Sequence, residues 1–340
     1  MRSVTYSSTG GPEVLSMMDR PVPECGANEV RVRILVSGVN PTDWKSRAGD
    51  GPGQPTAFPV MVPNQDGSGV VDAVGADVPG LRPGDRVWVW EAAYERAEGT
   101  AQEYVVLPAR QVVPLPDAAS FDLGASLGIP ALTAHRCLTV MQGRPERLDP
   151  GSLHGACVLV IGGAGAVGNA TIQLARWAGA RVVATVSSPE KADLARRAGA
   201  HEVVDYIADD WVDAIRRAAP DGVDLIVEVA PVMNAVHYPA LLAPNATVSI
   251  YAFGGGADFT FPVQSHFGTN TRIQFVLVYT VPPSAKDAAV ADVRAAVEAG
   301  ALRVGAEHGL PLHRFPLDQA AAAHAAVESG AVGKVVIDTA

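Results

Sequence analysis

The chain has 340 residues, of which 48% are hydrophobic and 18% charged, a composition typical of a folded protein with room for two domains. Its formal net charge of −10 argues against nucleic acids and anionic membranes as main partners, because so acidic a surface repels phosphate groups. Three separated cysteines form no disulfide framework, and the sequence shows neither a signal peptide nor a membrane span, so we expect a cytoplasmic protein.

The first third of the chain has the pattern of short strands. Residues 30–36 begin with alternating apolar and polar side chains, and residues 67–74 and 86–90 are further β-branched or aromatic runs. Glycine and proline separate these runs, as tight turns require. The pattern predicts a compact, irregular β-barrel.

After residue 130, strand-like and helix-like segments alternate. Six apolar runs are predicted to be strands buried on both faces, at 157–161, 181–186, 202–205, 224–229, 247–251 and 273–278. Helices are predicted at 166–178, 189–198 and 211–218. Strands joined by crossover helices indicate an α/β fold with a doubly wound, six-stranded Rossmann domain.

The last part of the chain follows two prolines. A helix is predicted at about 285–299, and the chain ends in a strand-like run at 334–338. We assign this tail to the first domain. The predicted domains are therefore 1–130 together with 282–340, and 131–281 between them.

A glycine-rich turn is the most informative motif. It spaces Gly163, Gly165 and Gly168 as G-x-G-x-x-G, directly after a predicted strand and before an amphipathic helix. This arrangement is typical of dinucleotide sites: Gly163 would allow a tight turn, Gly165 would let the backbone approach a pyrophosphate, and Gly168 would let helix and strand pack closely. The helix, which begins with Ala166 and Val167, would direct its positive end at the phosphates.

The end of the second central strand bears on the choice between NADH and NADPH. An NAD site usually has an acidic residue there for the ribose 2′-hydroxyl, but Ser187 occupies that position and Glu190 falls inside the next helix. Ser187, Ser188 and Lys191 would favour a 2′-phosphate, so we predict NADPH. As alternatives, Ser188 before Pro189 is a good helix cap, and Lys191 could be an ordinary surface lysine.

Several separated motifs resemble those of the medium-chain dehydrogenase/reductase superfamily, and within it the zinc-independent quinone oxidoreductase (zeta-crystallin-like) branch. They are GVNPTD at 38–43, DGSGVV at 66–71, GDRV at 84–87, LGIPALTA at 127–134, the glycine-rich turn, and GKVV at 333–336. The resemblance covers nearly the whole chain. It implies a GroES-like barrel domain built from both ends of the chain, a central Rossmann domain, and an active site in the cleft between them.

The resemblance also bears on metal binding. Related alcohol dehydrogenases hold a catalytic zinc with a cysteine and a histidine, at positions that match Asn40 and Gln65 of this chain. Neither amide is a competent zinc ligand, and the four-cysteine structural zinc lobe of those enzymes is missing from the sequence. We therefore predict no metal site.

Polar residues near the nicotinamide are also implied by the resemblance. Asn40 and Thr133 match such positions, and both are predicted to line the pocket and to contact the cofactor. The alternative for each is a turn or helix-cap role, which asparagine and threonine both favour. No definite general acid or base is identified. Asp43 could be catalytic, although a pairing with Lys45 or with a barrel arginine is the alternative that we favour.

Further cofactor positions are carried over from the same branch. Tyr206 matches a position near the 2′-phosphate, Phe253 and Gly254 lie at the carboxyl edge of the sheet, and Lys334 matches a residue that closes over the cleft. A solvated lysine is the alternative for Lys334. Residues 273–279 resemble the family's edge strand, which pairs across a twofold axis and implies a homodimer.

The predicted reaction follows from the missing zinc, because hydride transfer to an electron-poor π system needs no Lewis acid. We expect an NADPH-dependent reductase of small quinones. One alternative is a reductase of enones, alkenals or enoyl thioesters, which a tyrosine proton donor beside the pocket would favour. Another is a non-catalytic NADPH-binding or structural protein of the zeta-crystallin kind. Residues 140–153 form a longer link than is usual, either a neutral surface insertion or part of the cleft entrance.

Overall fold

The structure is a computed structural model that describes residues 1–339. It divides into two compact units. The barrel unit comprises Met1–Ile129 and the residues from Leu312 onward, and the central unit comprises Pro130–Pro311. Among the described residues, no helix has the length and apolarity that a bilayer crossing demands.

The predicted assignment of residues 282–311 to the barrel domain is wrong. These residues pack as part of the central unit. Asp292 provides the physical reason, because its buried carboxylate accepts hydrogen bonds from His135 and from the backbone N–H of Leu148, over 2.8 Å in each case.

Short strands dominate the first part of the chain, and strands alternate with helices in the central part. Up to residue 127 the structure has β1 (Arg2–Thr5), β2 (Ser16–Asp19), β3 (Glu29–Val39), α1 (Pro41–Ala48), β4 (Asp66–Val74), β5 (Arg86–Val89), β6 (Tyr104–Pro108), β7 (Val112–Pro114) and α2 (Phe121–Gly124). From residue 128 to residue 311 it has α3 (Gly128–Thr139), β8 (Cys157–Ile161), α4 (Ala166–Trp177), β9 (Arg181–Val186), α5 (Pro189–Ala198), β10 (Glu202–Asp205), α6 (Trp211–Ala218), β11 (Val223–Glu228), α7 (Pro231–Asn234), α8 (Tyr238–Leu241), β12 (Leu242–Ile250), α9 (Val263–Phe267), β13 (Arg272–Phe275) and α10 (Pro283–Glu298). The last part has β14 (Leu312–Pro316), α11 (Ala320–Glu328) and β15 (Lys334–Asp338). Short 3-10 turns lie at Pro12–Val14, Ala109–Gln111, Ala235–His237, Val278–Thr280, Ala306–His308 and Leu317–Gln319.

The barrel unit is built on a sheet with the strand order β14-β15-β3-β4-β5-β7, and β6 pairs with β3. The alternation of residues 30–36 directs Val30, Val32 and Ile34 into the core, where each is at most 1% exposed. β15 runs antiparallel to β3 and places Val335 opposite Val39. The end of the chain therefore completes the sheet that its first third begins.

The central unit contains a parallel sheet with the strand order β10-β9-β8-β11-β12-β13. Of its two innermost strands, β8 is wholly apolar, and Val158, Leu159 and Val160 of β8 are fully buried. The order of the strands reverses between β8 and β11, and such a switch point is where sheets of this kind bind ligands, at the carboxyl ends of the strands. The doubly wound, six-stranded Rossmann sheet and the separate β-rich domain predicted from the sequence are both confirmed.

Candidate functional site

The glycine-rich turn joins β8 to α4. Its left-handed residue is Gly162, with φ 76°, so the tight turn falls one residue before the predicted Gly163. A Cβ atom at Gly163 would lie 2.9 Å from the Cβ atom of Ala184, so this glycine serves packing against β9. A Cβ atom at Gly168 would lie 2.3 Å from the carbonyl oxygen of Gly162, so only glycine lets α4 approach the turn this closely.

Gly165 begins α4 and leaves the first N–H groups of the helix accessible. It is the extended N-cap, and its carbonyl oxygen accepts a hydrogen bond from the backbone N–H of Asn169 over 2.8 Å. The backbone N–H groups of Ala166, Val167 and Gly168 precede this first helical bond. Together with the helix dipole they can hold a phosphate group.

Lys191 and Ser187 lie together after β9. The Lys191 ammonium donates a hydrogen bond to Ser187 Oγ over 2.8 Å. Ser188 caps α5, because its Oγ accepts a hydrogen bond from the backbone N–H of Lys191 over 3.3 Å, and Pro189 is the first helical residue. Cap formation accounts for Ser188, whereas Ser187 and Lys191 present a hydroxyl and an ammonium at the end of the strand.

A cavity of about 290 Å³ opens beside this point, at the carboxyl ends of β8, β9 and β11. Tyr206 lines it, and the backbone N–H of Tyr206 donates to the carbonyl oxygen of Val186 over 2.9 Å, which places this residue at the end of β9. Trp211 and His237 also line the cavity, with their rings edge to face and the ring centroids 4.9 Å apart. The cavity lies where a doubly wound sheet binds a nucleotide.

Glu228, which no sequence motif had marked, fixes one wall of this cavity. Its carboxylate is buried and accepts hydrogen bonds from the backbone N–H of Ala230 over 2.6 Å and from the hydroxyl of Tyr238 over 2.9 Å. Burial raises the pKa of Glu228, and these hydrogen bonds oppose the shift. The carboxylate holds α7 and its Asn234, which lines the cavity, against the end of β11.

A second, apolar pocket of about 400 Å³ lies at the carboxyl ends of β12 and β13. Phe253, which was predicted to contact the cofactor, lines it and is 63% exposed. Gly254 follows, and its backbone N–H donates to the carbonyl oxygen of Val229 over 2.9 Å. Tyr251 also lines the pocket, and burial raises the pKa of its hydroxyl.

Thr133 lies on α3 and is 5% exposed. One half-turn along the same helix, the buried His135 is hydrogen-bonded to Asp292 of α10. Arg147 binds the same carboxylate through Nε over 2.8 Å. The link at 140–153 is therefore anchored to α10 through one buried aspartate.

A cluster of buried polar side chains forms in the barrel unit. Asn40 Nδ2 donates to Asp66 Oδ2 over 2.7 Å, and Asn40 Oδ1 accepts from the Lys334 ammonium over 2.6 Å. The Lys334 ammonium lies 3.5 Å from Asp66 Oδ2. Asp43 Oδ2 accepts a hydrogen bond from the backbone N–H of Asn40 over 2.6 Å. Each of these four residues is at most 3% exposed.

The electrostatics of the cluster follow from burial. Burial raises the pKa of Asp43 to about 8, and the neighbouring carboxylate of Asp66 adds to the increase. Burial also lowers the pKa of Lys334 and raises that of Asp66, and the ion pair between them opposes both shifts. The structure thus differs from the expected pairing of Asp43 with Lys45 or a barrel arginine, and it buries Lys334 instead of leaving it solvated.

The side chains at the two positions that match zinc ligands form hydrogen bonds within the protein. The Asn40 side chain is engaged with Asp66 and Lys334, and Gln65 Oε1 accepts a hydrogen bond from the backbone N–H of Ala93 over 3.1 Å. Within residues 1–339, no three or more histidine, cysteine, aspartate or glutamate side chains are grouped so that they could hold a metal ion.

The predicted site residues thus lie in four places. The central sheet edge brings together Gly163, Gly165, Ala166, Val167, Gly168, Ser187, Ser188, Lys191 and Tyr206. Phe253 and Gly254 lie at the apolar pocket, Thr133 lies on α3, and Asn40 and Lys334 meet in the barrel unit. Sequence reasoning missed the role of Asp66, although an acidic residue at the start of a glycine-rich strand was a usable signal.

Comparisons with known proteins agree with this architecture. A family model described as "Zinc-binding dehydrogenase" matches residues 166–295, and one described as "Alcohol dehydrogenase GroES-like domain" matches residues 26–117. The quinone oxidoreductase of Rattus norvegicus is 30% identical over 343 residues, which cover 99% of this chain and 97% of that protein.

Solved structures are similar over the same extent. The crystal structure of an NAD-dependent alcohol dehydrogenase has a TM-score of 0.87 and 31% identity, with 100% of both chains covered. A mycobacterial protein solved in complex with NADPH has a TM-score of 0.80 and 28% identity, with 99% of both chains covered. The two-unit fold, the glycine-rich turn and the full-length relatives show that the chain is an oxidoreductase of the medium-chain dehydrogenase/reductase superfamily, in its quinone oxidoreductase branch.

Proposed function

We propose that the chain is an NADPH-dependent reductase of small quinones that transfers hydride without a metal ion. The observation that carries the cofactor choice is the pair formed by Lys191 and Ser187 at the end of β9. An ammonium and a hydroxyl suit a 2′-phosphate, whereas an NAD site would carry a carboxylate at this position.

The residues of the central unit fit a bound NADPH. The N–H groups at the start of α4 would hold the pyrophosphate, and Gly165 is exposed, so a ligand can approach the backbone there. Ser187, Ser188, Lys191 and Tyr206 would surround the 2′-phosphate. Of two similar structures, one is of an NAD-dependent enzyme and the other contains NADPH. The lack of a carboxylate at position 187 favours NADPH for this chain.

Zinc independence is proposed from the donor chemistry. Asn40 and Gln65 stand where a thiolate and an imidazole would be needed, and amides are poor zinc ligands. NADPH, when bound, supplies a hydride from the nicotinamide. The chain would then position a substrate that already accepts hydride, with Asn40 and Thr133 as polar groups near the nicotinamide and Phe253, Gly254 and Lys334 as further cofactor neighbours.

A reductase of enones, alkenals or enoyl thioesters is the second candidate, and one observation favours it. Tyr251 lines the apolar pocket, and we propose it as the proton donor that such a reaction would use. A tyrosine hydroxyl is protonated at neutral pH, and burial raises the pKa of Tyr251 further. Replacing Tyr251 with phenylalanine would lower enone turnover and leave quinone turnover unchanged if this assignment holds.

The assembly and location of the chain are also proposed. We infer a homodimer, because β13 is the edge strand of the central sheet and Phe275 on it is 65% exposed. Analytical ultracentrifugation at several concentrations tests this, and a monomer throughout would contradict it. We infer from the net charge of −10 that nucleic acids and anionic membranes are not partners. The quinone oxidoreductase relatives support a small-molecule substrate, and three separate free cysteines support a cytoplasmic location.

The decisive experiment measures NADPH consumption with benzoquinone, naphthoquinone, an alkenal and an enoyl thioester. A second assay measures oxidation of a primary alcohol with NADP⁺, and both assays are repeated with NADH or NAD⁺. Quinone turnover with NADPH ahead of NADH, unchanged by a chelator, is the expected result. Turnover confined to the enones would select the second candidate, and chelator-sensitive alcohol oxidation would contradict zinc independence. Tight NADPH binding with no turnover would identify a non-catalytic protein.

A further inference from the structure

Most of the short motifs shared with the family meet at the buried cluster of the barrel unit. The segment 38–43 supplies Asn40 and Asp43, the segment 66–71 supplies Asp66, and the segment 333–336 supplies Lys334. The segment 127–134 supplies the backbone N–H of Ile129, which donates to Asp66 Oδ1 over 2.8 Å. These motifs are far apart in the chain, so their meeting point is a property of the fold.

The cluster fixes the carboxamide of Asn40 in one orientation. An ammonium can only donate hydrogen bonds and a carboxylate can only accept them, so Lys334 must face Oδ1 and Asp66 must face Nδ2. A flip of the amide would set two donors against each other at Lys334 and two acceptors against each other at Asp66. Both contacts involve charged groups and therefore resist the flip more strongly than neutral contacts would.

Asp66 and Lys334 are themselves held in place. Asp66 Oδ1 accepts the hydrogen bond from Ile129, which leaves Oδ2 for Asn40 and Lys334. A Cβ atom at Gly128 would lie 2.1 Å from Asp66 Oδ1. A Cβ atom at Gly38 would lie 3.0 Å from Lys334 Cε and 2.0 Å from a backbone oxygen. These two glycines make the room in which both charged side chains fit.

Stability alone does not explain a buried ion pair of this kind. Desolvation of the two charges offsets most of their attraction, and apolar residues of similar volume usually stabilise a core as well or better. Apolar residues would not supply a fixed donor and a fixed acceptor on either side of Asn40. The role of the Lys334–Asp66 ion pair therefore concerns the Asn40 carboxamide.

We propose that Lys334 and Asp66 are positioning residues, which hold the Asn40 carboxamide in the single orientation that the reaction requires. The proposal rests on the proposed function, in which Asn40 lies near the nicotinamide. It replaces a direct cofactor contact by Lys334 with an action through Asn40. It also explains the depth of burial of Lys334, which is 1% exposed and would have to leave its ion pair to reach a ligand.

The test is a double-mutant cycle on Asn40→Ala and Lys334→Met. Each single variant is expected to lower kcat with the preferred acceptor about 100-fold, the effect of a misplaced group near the reacting atoms. The NADPH dissociation constant is expected to change by less than about twofold in Lys334→Met. In the Asn40→Ala background, Lys334→Met is expected to change kcat by less than about twofold, since no carboxamide is left to orient.

Two controls separate positioning from general damage. Lys286→Met removes another buried lysine, which donates to the carbonyl oxygen of Tyr279 over 3.0 Å, and is expected to leave kcat unchanged. If Lys334→Met does not fold, the double variant Asp66→Asn/Lys334→Met removes both charges together and takes its place in the cycle. It is expected to regain a cooperative thermal transition but not kcat.

The outcomes that overturn the proposal are specific. Additive losses in the cycle, or a weaker NADPH dissociation constant as the main effect of Lys334→Met, would mean that Lys334 contacts the ligand directly. A nuclear magnetic resonance readout needs no turnover: the side-chain amide signals of Asn40, assigned by their loss in Asn40→Asp, are expected to shift and exchange faster in Lys334→Met. Unchanged Asn40 amide signals in Lys334→Met would refute the positioning role, whether or not the wild-type protein is active. If the wild-type protein reduces none of the acceptors, that result contradicts only the proposed function.

Discussion

The backbone N–H of Asn40 donates a hydrogen bond to Asp43 Oδ2 over 2.6 Å, and this contact starts α1 in the barrel unit. It also holds a carboxyl group where only 3% of the residue is exposed, close to the second carboxylate of Asp66. Burial, and then Asp66, raise the pKa of Asp43 to about 8. The group is therefore protonated in the folded chain at neutral pH and ionised in the unfolded chain.

This pKa predicts how the free energy of unfolding depends on pH. A carboxyl group whose pKa is raised by folding makes its full contribution to the stability of the fold below its unfolded pKa of about 4. That contribution is lost as the pH rises to the folded pKa of about 8. We expect the wild type to lose about 1.4 kcal/mol per pH unit across this window relative to Asp43→Asn, which keeps the hydrogen-bond acceptor but does not titrate. Urea unfolding at pH 5, 6, 7 and 8 measures the difference. The exposed Asp221→Asn is the control, and parallel curves for wild type and Asp43→Asn would contradict the prediction.

Lys191→Ala tests the cofactor choice. Loss of a charge-assisted hydrogen bond to a phosphate is expected to raise KM for NADPH about 10- to 100-fold and to leave KM for NADH unchanged. Initial rates with the two cofactors give the answer. Arg196→Ala, on the same helix but with its side chain 60% exposed and paired with Asp193, should change neither constant. An equal rise for both cofactors would show that Lys191 does not contact the 2′-phosphate.

Ser187→Asp tests the same position from the opposite direction. It places a carboxylate where NAD sites carry one, so it would repel a 2′-phosphate and accept a hydrogen bond from a ribose 2′-hydroxyl. We expect the preference to invert in favour of NADH, as measured by the ratio of kcat/KM values. Ser187→Asn, which is similar in size and uncharged, controls for shape. A retained NADPH preference in Ser187→Asp would place the 2′-phosphate elsewhere.

Gly38→Ala tests the room around Lys334. The added Cβ atom would meet the carbonyl oxygen of Ala125 at 2.0 Å, so backbone must move. We expect the variant to lose about 3 kcal/mol of stability, at the upper end of overpacking costs. Gly268→Ala adds a Cβ atom with no neighbour within 4 Å and is the matched control. Calorimetric melting temperatures that fall equally for both variants would contradict the close approach.

Asp292→Asn tests the anchor of the 140–153 link. Burial acts to raise the pKa of Asp292, but hydrogen bonds from His135 and Arg147 outweigh it and lower the pKa to about 2. We expect the free energy of unfolding of the variant to be about 2 kcal/mol lower than that of the wild type at pH 7. This difference should shrink as the pH falls from 4 to 2, because a carboxylate with a lowered pKa stabilises the fold only while it is ionised. Arg147→Gln should cost less, since its side chain is 59% exposed. A difference that stays constant down to pH 2 would disprove the assignment.

Local signals predicted most of the central unit. The bounds of β8, β9, β10, α5 and α6 agree with those predicted from the sequence. β8 is a contiguous apolar run, β9 is nearly one, and Ser188 with Pro189 marks the start of α5. β12 begins five residues before its predicted start, because Pro244 and Asn245, the latter with φ 64°, interrupt the strand pattern. The domain of α10 could not be predicted, since a sequence does not show which unit a helix packs against.

In the candidate site too, local contacts could be predicted from the sequence and long-range contacts could not. The contact between Ser187 and Lys191 was predictable because the two residues lie four positions apart at the start of a helix. Asn40 and Lys334 were assigned one by one through the family resemblance, and their contact depends on the pairing of β3 with β15. Asp66 joins them only through that tertiary arrangement, which no local pattern encodes.

The distance along the chain between Asn40 and Lys334 also has a consequence for synthesis. A ribosome that adds roughly 5–20 residues per second needs about 15–60 s to make the 294 residues that separate them. During that time β4 and β6 can already pair with β3, but residues 36–39 lack the partner that β15 provides on one edge. The nascent chain therefore exposes this short open edge to chaperones and to neighbouring copies until β15 leaves the ribosome.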